Sequence, residues 1–382
     1  MRHLIIDGSN LRSGGGVTHI VEILNHVDDP NFPFDKVTIF SNNKTLTKIN
    51  NNIKIEKKTH FLLNKGLPFI LVWKFFCLSR ILKKQRTNTV LLDPAGTYSG
   101  KFQPFVSMSR NMLIFEEKES NRFQEWKMRE KFHLLRRQQI DTFNKASGII
   151  FISNYAKNVI LPFLKSKDID FKLIHHGVSK RFSNAPIEQK DLQFYSSTAP
   201  FTFIYVSPIT VYKHQTKVLQ AFYDLVQESP LPIEIKFIGG YYKPEYSEFL
   251  ELKARLDPKD IFSKYIGDVD YQELDRYYKT ADGIIFASTC ENMPNVLIES
   301  MSSGKPLICS DKEPMPEFIG QDYSFSMDPN DVESIKQAIK NFLYNPSRRF
   351  EVANENFKKA SNYHWKTCAE ETFKYLSKFL RS

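Results

Sequence analysis

Two glutamates, Glu291 and Glu299, frame the run Glu291-Asn292-Met293-Pro294-Asn295-Val296-Leu297-Ile298-Glu299. A short apolar strand closes near Ser288, so Glu291 falls where a strand's carboxyl end meets the following loop. Open α/β sheets hold ligands there. Pro294 suits a first helical turn, because its ring presets φ and its absent N–H is one that a helix start leaves unused. The N–H groups of Asn295 and Val296 then stand at a helix N-terminus, which attracts anions. Glu299 follows about a turn and a half further along the same helix. Carboxylates that accept hydrogen bonds from hydroxyls, beside a backbone cradle for an anion, suit a sugar nucleotide. Two acids on a capped surface helix would by themselves carry no such meaning. Gly14-Gly15-Gly16 follows the first strand. Glycine lets backbone approach a phosphate or an acceptor closely, although a glycine run alone is more often a flexible turn. It is not G-x-G-x-x-G, which counts against a dinucleotide dehydrogenase.

Two other acidic patterns are weaker. Asp268-Val269-Asp270 has the D-x-D form that metal-dependent transferases of another fold use. It precedes a helix expected over 271–281, so Asp270 is read as an N-cap. Asp168-Ile169-Asp170 is read as a solvated loop. The nine histidines are scattered and none forms H-E-x-x-H, so no metal site is expected.

The elements that must position these residues alternate. Strands are expected at 3–7, 36–40, 53–55, 90–92, 105–109 and 148–152, with helices at 18–27, 67–85, 120–146 and 154–165. After a polar, non-periodic stretch at 179–200, read as a linker, strands recur at 201–206, 233–238, 265–266, 284–286 and 306–309. Helices are expected at 214–228, 244–256, 271–281, 294–303 and 331–344. Short apolar strands alternating with helices predict parallel sheets covered on both faces. The fold class is therefore α/β, with two doubly wound domains and a cleft between them. At ~100–200 residues per domain, 382 residues agree with two.

Composition narrows the partners. Hydrophobic residues make up 41% and charged residues 25% of the chain, a globular balance. The four cysteines form no close pair, which excludes a disulfide framework or a C-x-x-C site. No secretory leader is read at Met1-Arg2-His3, and the apolar run 67–82, broken by Lys74 and Arg80, falls short of the ~20 residues of a bilayer span. A reducing, cytoplasmic location is expected. Residues 1–180 carry 29 Lys and Arg against 15 Asp and Glu, whereas the rest of the chain is mildly acidic. Such a split points to an anionic partner for the first half. Segments 73–86 and 126–137 interleave bulky apolar residues with cations, which suits a helix lying on an anionic membrane, at about 1 kcal/mol per cation. The same helices could equally pack on a sheet with their cations solvated. A peripheral contact of the first domain with the inner face of the cell membrane is expected.

The spaced elements Ile266-Gly267-Asp268, Tyr271 to Leu274, Tyr277 to Asp282, Ala287-Ser288, Glu291 to Glu299, Ser300 to Pro306 and Met315-Pro316-Glu317 together resemble the GT-B glycosyltransferases of family 4 (glycosyl transferases group 1). Their E-x7-E motif falls on Glu291 and Glu299, and the likeness runs on through Asp328-Pro329 to Trp365 and back to Gly14-Gly15-Gly16. The resemblance implies two Rossmann-like domains. An acceptor domain would span 1–180 together with a C-terminal helix, 366–382, that crosses back; a nucleotide-sugar domain would span 181–365. It implies that Glu291 contacts the donor sugar, that Glu299 contacts the ribose, and that backbone at Met293, Pro294, Asn295 and Val296 faces sugar and diphosphate. Gly267 begins the loop that meets the base. Lys213, in Tyr212-Lys213-His214, resembles the family's phosphate lysine. The family's arginine just upstream is replaced by Ser207-Pro208, so His214 is considered as an additional contact. On the acceptor side the family's cleft histidine is absent after Phe105 to Ser109. Arg110 and Asn111 stand there instead. Ser153 either faces the cleft or caps the next helix.

The function so implied is retaining transfer of a hexose from a UDP- or GDP-sugar to a saccharide or lipid-linked saccharide, in bacterial surface polysaccharide or lipopolysaccharide O-antigen assembly. It would need no metal or other cofactor, and no nucleic acid is an expected partner. Three rivals are a nucleotide-sugar epimerase of the same fold, a basic nucleic-acid-binding protein and a non-catalytic sugar-nucleotide-binding partner. The first lacks an evident base for the sugar, the second lacks a recognition motif, and the third is disfavoured by the intact Glu291, Glu299 and Lys213.

Overall fold

Short apolar runs such as Leu4-Ile5-Ile6 and Val90-Leu91-Leu92 form strands with no solvent-facing side, as parallel sheets covered by helices require. The computed structural model describes residues 1–12, 14–85, 88–166 and 168–380. Arg86, at the end of the basic 73–86 segment, and the last two residues of the C-terminal tail lie outside the described residues. The chain divides into two units. One comprises Met1–Ser120, Gln124–Gly177 and His364–Ser382; the other comprises Asn121–Phe123 and Val178–Tyr363.

The first unit contains β1 (His3–Asp7), β2 (Lys36–Phe40), β3 (Ile55–Lys58), β4 (Thr89–Asp93), β5 (Phe105–Met108), β6 (Gly148–Phe151) and β7 (Phe171–Leu173). They form one parallel sheet in the order β3-β2-β1-β4-β5-β6-β7. The second contains β8 (Phe201–Val206), β9 (Ile233–Ile238), β10 (Ser263–Gly267), β11 (Gly283–Phe286), β12 (Leu307–Ser310) and β13 (Ser326–Met327). Its order, β10-β9-β8-β11-β12-β13, is again parallel throughout. Strand order reverses between β1 and β4 and again between β8 and β11. These are the switch points at which doubly wound sheets open a crevice beyond the strand ends.

The C-terminal helix Trp365–Ser377 belongs to the first unit, where Phe373 meets Phe32 edge-on at 4.8 Å. Several boundaries differ from the sequence expectation. The helix expected over 67–85 contains a π-helical turn at Trp73–Leu78. The one expected over 120–146 is Trp126–Lys145, preceded by the short Glu117–Ser120, and Asn121–Phe123 between them leaves the first unit. The strand expected at 53–55 pairs at 55–58, because Ile55 is the first residue in register with Val37. β7 was not foreseen; its Phe171 and Lys172 are exposed, so it lacks the apolar run that marks a buried strand. The stretch 179–200 is not a free linker. Phe182 is fully buried, and the buried Arg349 guanidinium donates to the Lys190 carbonyl, tying the segment to the second unit.

Candidate active site

After β8 the chain runs through Ser207-Pro208 into the turn Val211–Lys213, and His214 then takes a left-handed conformation (φ 54°, ψ 31°) before helix Gln215–Glu228. Left-handed backbone is uncommon for a residue with a Cβ and persists only where its surroundings fix it. Here the Tyr205 hydroxyl donates to the Lys213 carbonyl at 2.5 Å, and the Thr289 amide donates to the Tyr212 carbonyl at 2.9 Å. Tyr205 also accepts from the Ala287 amide, so the loops after β8 and β11 are stitched together across the switch point.

That stitching brings Lys213 and Glu291 into an ion pair, with side chains only 10% and 14% exposed. The Lys213 ammonium stands 5.1 Å from the Phe286 ring centroid. Next to Glu291, helix Asn295–Ser302 begins with no side-chain cap. Pro294 occupies the N-cap position rather than the first helical turn, offering only its carbonyl to the Leu297 and Ile298 amides. Its extended ψ of 114° breaks the helix one residue later than the sequence suggests. Asn295 and Val296 are the first two residues of this helix, and Met293 precedes its cap. Gly267 ends β10 with φ +84°, a left-handed value that glycine adopts without strain, and its Cα faces open space.

Glu299 differs from Glu291 in being wholly interior, at 3% exposure. It accepts a hydrogen bond from the Tyr271 hydroxyl at 2.9 Å, and the Arg181 guanidinium stacks on the Tyr271 ring at 3.9 Å. Burial pushes the Glu299 carboxyl up to about 7, against the opposing pull of Tyr271 and Arg181. Asp270 is not the cap of the following helix, which begins at Leu274. It accepts instead from the Gln272 amide in the preceding turn.

His214 corrects a further expectation. Its Nε2 lies 3.1 Å from an Arg122 guanidinium nitrogen and 3.1 Å from the Thr289 hydroxyl. A guanidinium only donates, so Nε2 accepts and the ring proton sits on Nδ1. Burial, then the Arg122 and Lys217 charges, lowers the histidine to about 3. His214 is neutral at physiological pH and is no phosphate cation. The positive charge at the His214 ring belongs to Arg122, whose other nitrogen donates to Asn330 at 2.7 Å, while Phe123 packs on Tyr242 at 5.4 Å. Sequence reasoning missed Arg122, because nothing in a linear pattern joins it to a histidine more than ninety positions on.

In the first unit, Gly14 caps helix Gly15–Leu24 with φ +67° and no side-chain cap bond. The Arg110 guanidinium lies against Gly16, within 3.9 Å of where a Cβ would stand, and burial lowers it to about 10. The glycine turn and Arg110 are thus brought together. Asn111 is not added to them by its side chain, which accepts from the Leu113 amide in its own turn. Ser153 resolves as the N-cap of helix Asn154–Ile160, its hydroxyl accepting from Ala156. Also unforeseen, Asp7 and Asp93, fully buried at the ends of β1 and β4, share Lys74. Its ammonium is 3.1 Å from Asp7 and donates to the Thr97 hydroxyl at 2.7 Å. An acid closing an apolar strand was the available signal. Among the described residues no three of His, Cys, Asp and Glu gather where a metal ion could be held.

Residues 188–360 match the family model described as glycosyl transferases group 1. The chain is 27% identical over 169 residues to the O-antigen chain mannosyltransferase B of Escherichia coli, covering 44% of each protein. It thus spans less than half the length of that curated relative. Among solved structures it resembles Anabaena HepE in complex with UDP and glucose (TM-score 0.71, 14% identity, 99% and 100% of the two chains). It also resembles the sucrose-phosphate synthase of Thermosynechococcus elongatus (TM-score 0.73, 16% identity, 98% of each chain). At these identities the likeness is one of fold: two Rossmann-like units of the GT-B type.

Proposed function

We propose that this chain, whose residues 188–360 form a domain of the glycosyl transferases group 1 family, is a glycosyltransferase that moves a hexose from a nucleotide sugar to an acceptor hydroxyl. The observation that carries the reading is the Lys213–Glu291 pair at the switch point of the second sheet, beside the uncapped helix start at Pro294. Glu291 accepts hydrogen bonds from hydroxyls of the donor sugar and Glu299 from the ribose. Backbone from Met293 to Val296 faces sugar and diphosphate, and Gly267 leaves room for the base. Charge grows on the departing diphosphate in the transition state. The Lys213 ammonium and the helix N-terminus meet that charge, so their stabilisation is larger there than in the ground state. No metal takes part in this scheme.

The anomeric configuration is retained in the proposed reaction. No carboxylate in the site has the role of nucleophile, so the acceptor oxygen attacks from the face the diphosphate leaves. The bond from C1 to the phosphate oxygen breaks, the bond from C1 to the acceptor oxygen forms, and the acceptor proton passes to the departing phosphate oxygen. On the first unit, Arg110 beside the Gly14-Gly15-Gly16 turn contacts the acceptor, with Asn111 and Ser153 shaping the surrounding loops. The name of the Escherichia coli relative supports a saccharide or lipid-linked saccharide acceptor in surface polysaccharide assembly. The UDP in HepE supports a nucleotide-sugar donor, UDP- or GDP-linked, and the mannosyl group in that relative's name supports a hexose as the group transferred.

The test is a thermal-shift screen against UDP- and GDP-sugars, followed by a transfer assay with the donor that binds. A ligand at 100 times its Kd adds about 2.7 kcal/mol of stability. A melting transition that no nucleotide sugar moves would overturn the reading.

A further inference from the structure

The first unit exposes an apolar face that the donor site does not use. Phe61, Leu67, Leu71, Phe75 and Phe76 are each 53–72% exposed. Large apolar side chains clustered so closely on a surface mark an interaction site. The face is also cationic. No Asp or Glu occurs between Glu56 and Asp93. The Lys65 ammonium lies 4.9 Å from the Phe69 ring, and Arg80, Lys83 and Lys84 are exposed.

The backbone holds this face outward by design of the π-helical turn Trp73–Leu78. Trp73 turns inward against Phe40 at 5.5 Å, and Lys74 turns inward to Asp7 and Thr97. The extra residue in the turn then leaves Phe75 and Phe76 pointing to solvent, with centroids 6.0 Å apart. Beside Phe75, between helix Ser79–Lys83 and the loop at 98–103, lies a cavity of about 640 Å³. Its lining includes Tyr98, Phe102 and three lysines: Lys74, already paired with Asp7, and Lys83 and Lys101, which offer their ammonium groups to a ligand. Volumes of ~300–1,000 Å³ suit a small ligand.

We propose that the face formed by residues 61–84 docks on an anionic lipid bilayer, with the cavity beside Phe75 seating an acidic headgroup. Three features select this occupant. Leu67 and Leu71, exposed among the phenylalanines of a face without acidic residues, suit the acyl boundary beneath an anionic headgroup layer. A second copy would set one lysine rim against another. No helix among the described residues is long and apolar enough to cross a membrane, so the face lies on the bilayer rather than spanning it. The structure also separates the two basic helices of the sequence: the exposed aromatic cluster is on the 61–76 stretch, whereas helix Trp126–Lys145 offers two widely spaced apolar residues, Trp126 and Leu134.

The test is co-sedimentation of the full chain with phosphatidylglycerol-containing vesicles and with phosphatidylcholine vesicles. The wild type is expected to pellet with the former only, and to be released at about 1 M salt, where the Debye length falls to ~3 Å. Phe75→Ser with Phe76→Ser is expected to lower the partition coefficient at least about tenfold. Lys83→Glu with Lys101→Glu is expected to abolish the preference for anionic vesicles, whereas Trp126→Ser with Leu134→Ser leaves it intact. Wild type that ignores both vesicles overturns the proposal. So does an aromatic double variant that pellets normally, or one that merely converts a vesicle-free dimer to monomer in light scattering. The nucleotide-sugar thermal shift, measured on the same variants, reports folding and donor binding separately, so failure of this proposal leaves the donor reading standing.

Discussion

Glu291 and Glu299 share a helix start but not an environment, and their proposed roles differ accordingly. Glu291 is balanced by Lys213 and keeps a small exposed fraction, whereas Glu299 is fully interior and held by a tyrosine. Removing either member of the pair leaves the other charge poorly compensated. Lys213→Ala and Glu291→Ala are each expected to lower turnover by roughly 10²-fold or more, the scale of losing one electrostatic stabiliser. Steady-state kinetics on variants with unchanged secondary structure check this, and near-normal turnover in either variant removes its role. Glu299 makes a pH prediction. With its folded-state value raised to about 7, above that of an unfolded glutamate, the folded chain binds the extra proton. This contribution to stability is fully present below about pH 4.5 and is lost as pH rises towards 7 and beyond. Glu299→Gln, which keeps the acceptor for Tyr271, is expected to flatten that decline. It should also remove a weakening of nucleotide-sugar binding between pH 8 and 6, where the wild-type carboxylate becomes protonated. Denaturant melts and donor titrations across pH decide; parallel curves for wild type and variant would refute the assignment.

Short irregular segments position these residues more than the regular helices do. Asn121–Phe123 leaves its own half of the sequence to join the second unit, where Arg122 donates to the ring of His214, the left-handed residue next to Lys213. Arg122 acts here as a positioning residue. Arg122→Ala is expected to raise the His214 pKa from about 3 towards the ordinary histidine range, because one of the charges lowering it is gone. It should also reduce kcat/KM by about tenfold, the scale of one charge-assisted hydrogen bond. NMR titration of the His214 ring tests the first effect, which a merely structural role would not produce. An unchanged His214 titration argues against it.

At the scale of the whole molecule, the chain leaves the first unit after Gly177 and re-enters it at His364. A Cβ at Gly177 would stand 2.0 Å from the Trp365 amide nitrogen and 2.5 Å from the His364 carbonyl carbon, both backbone atoms that cannot yield cheaply. The Trp365 ring stacks on His176 at 5.6 Å, and His176 stacks on His19 at 4.8 Å. The C-terminal helix is thereby fastened to the unit in which the chain began. Gly177→Ala is expected to destabilise the protein by about 1–3 kcal/mol, the usual cost of overpacking. Chemical denaturation reads this directly, and a wild-type midpoint would show that the crossing relaxes freely.

Periodicity and composition determined the alternation of strands and helices, the division into two doubly wound units and the place of Glu291 beyond a strand end. Each of these depends on burial of local apolar runs, and a run is visible in one dimension. Tertiary structure decided the rest. It gave His214 its neutral state, joined Arg122 to the Lys213 turn, buried Glu299 under Tyr271 and Arg181, and folded 179–200 onto the second unit. It also turned Lys74 inward and Phe75 outward within one basic, aromatic segment. These outcomes depend on which charges and hydrogen-bonding groups share a low-dielectric interior across long chain separations, and linear spacing carries no record of such neighbours.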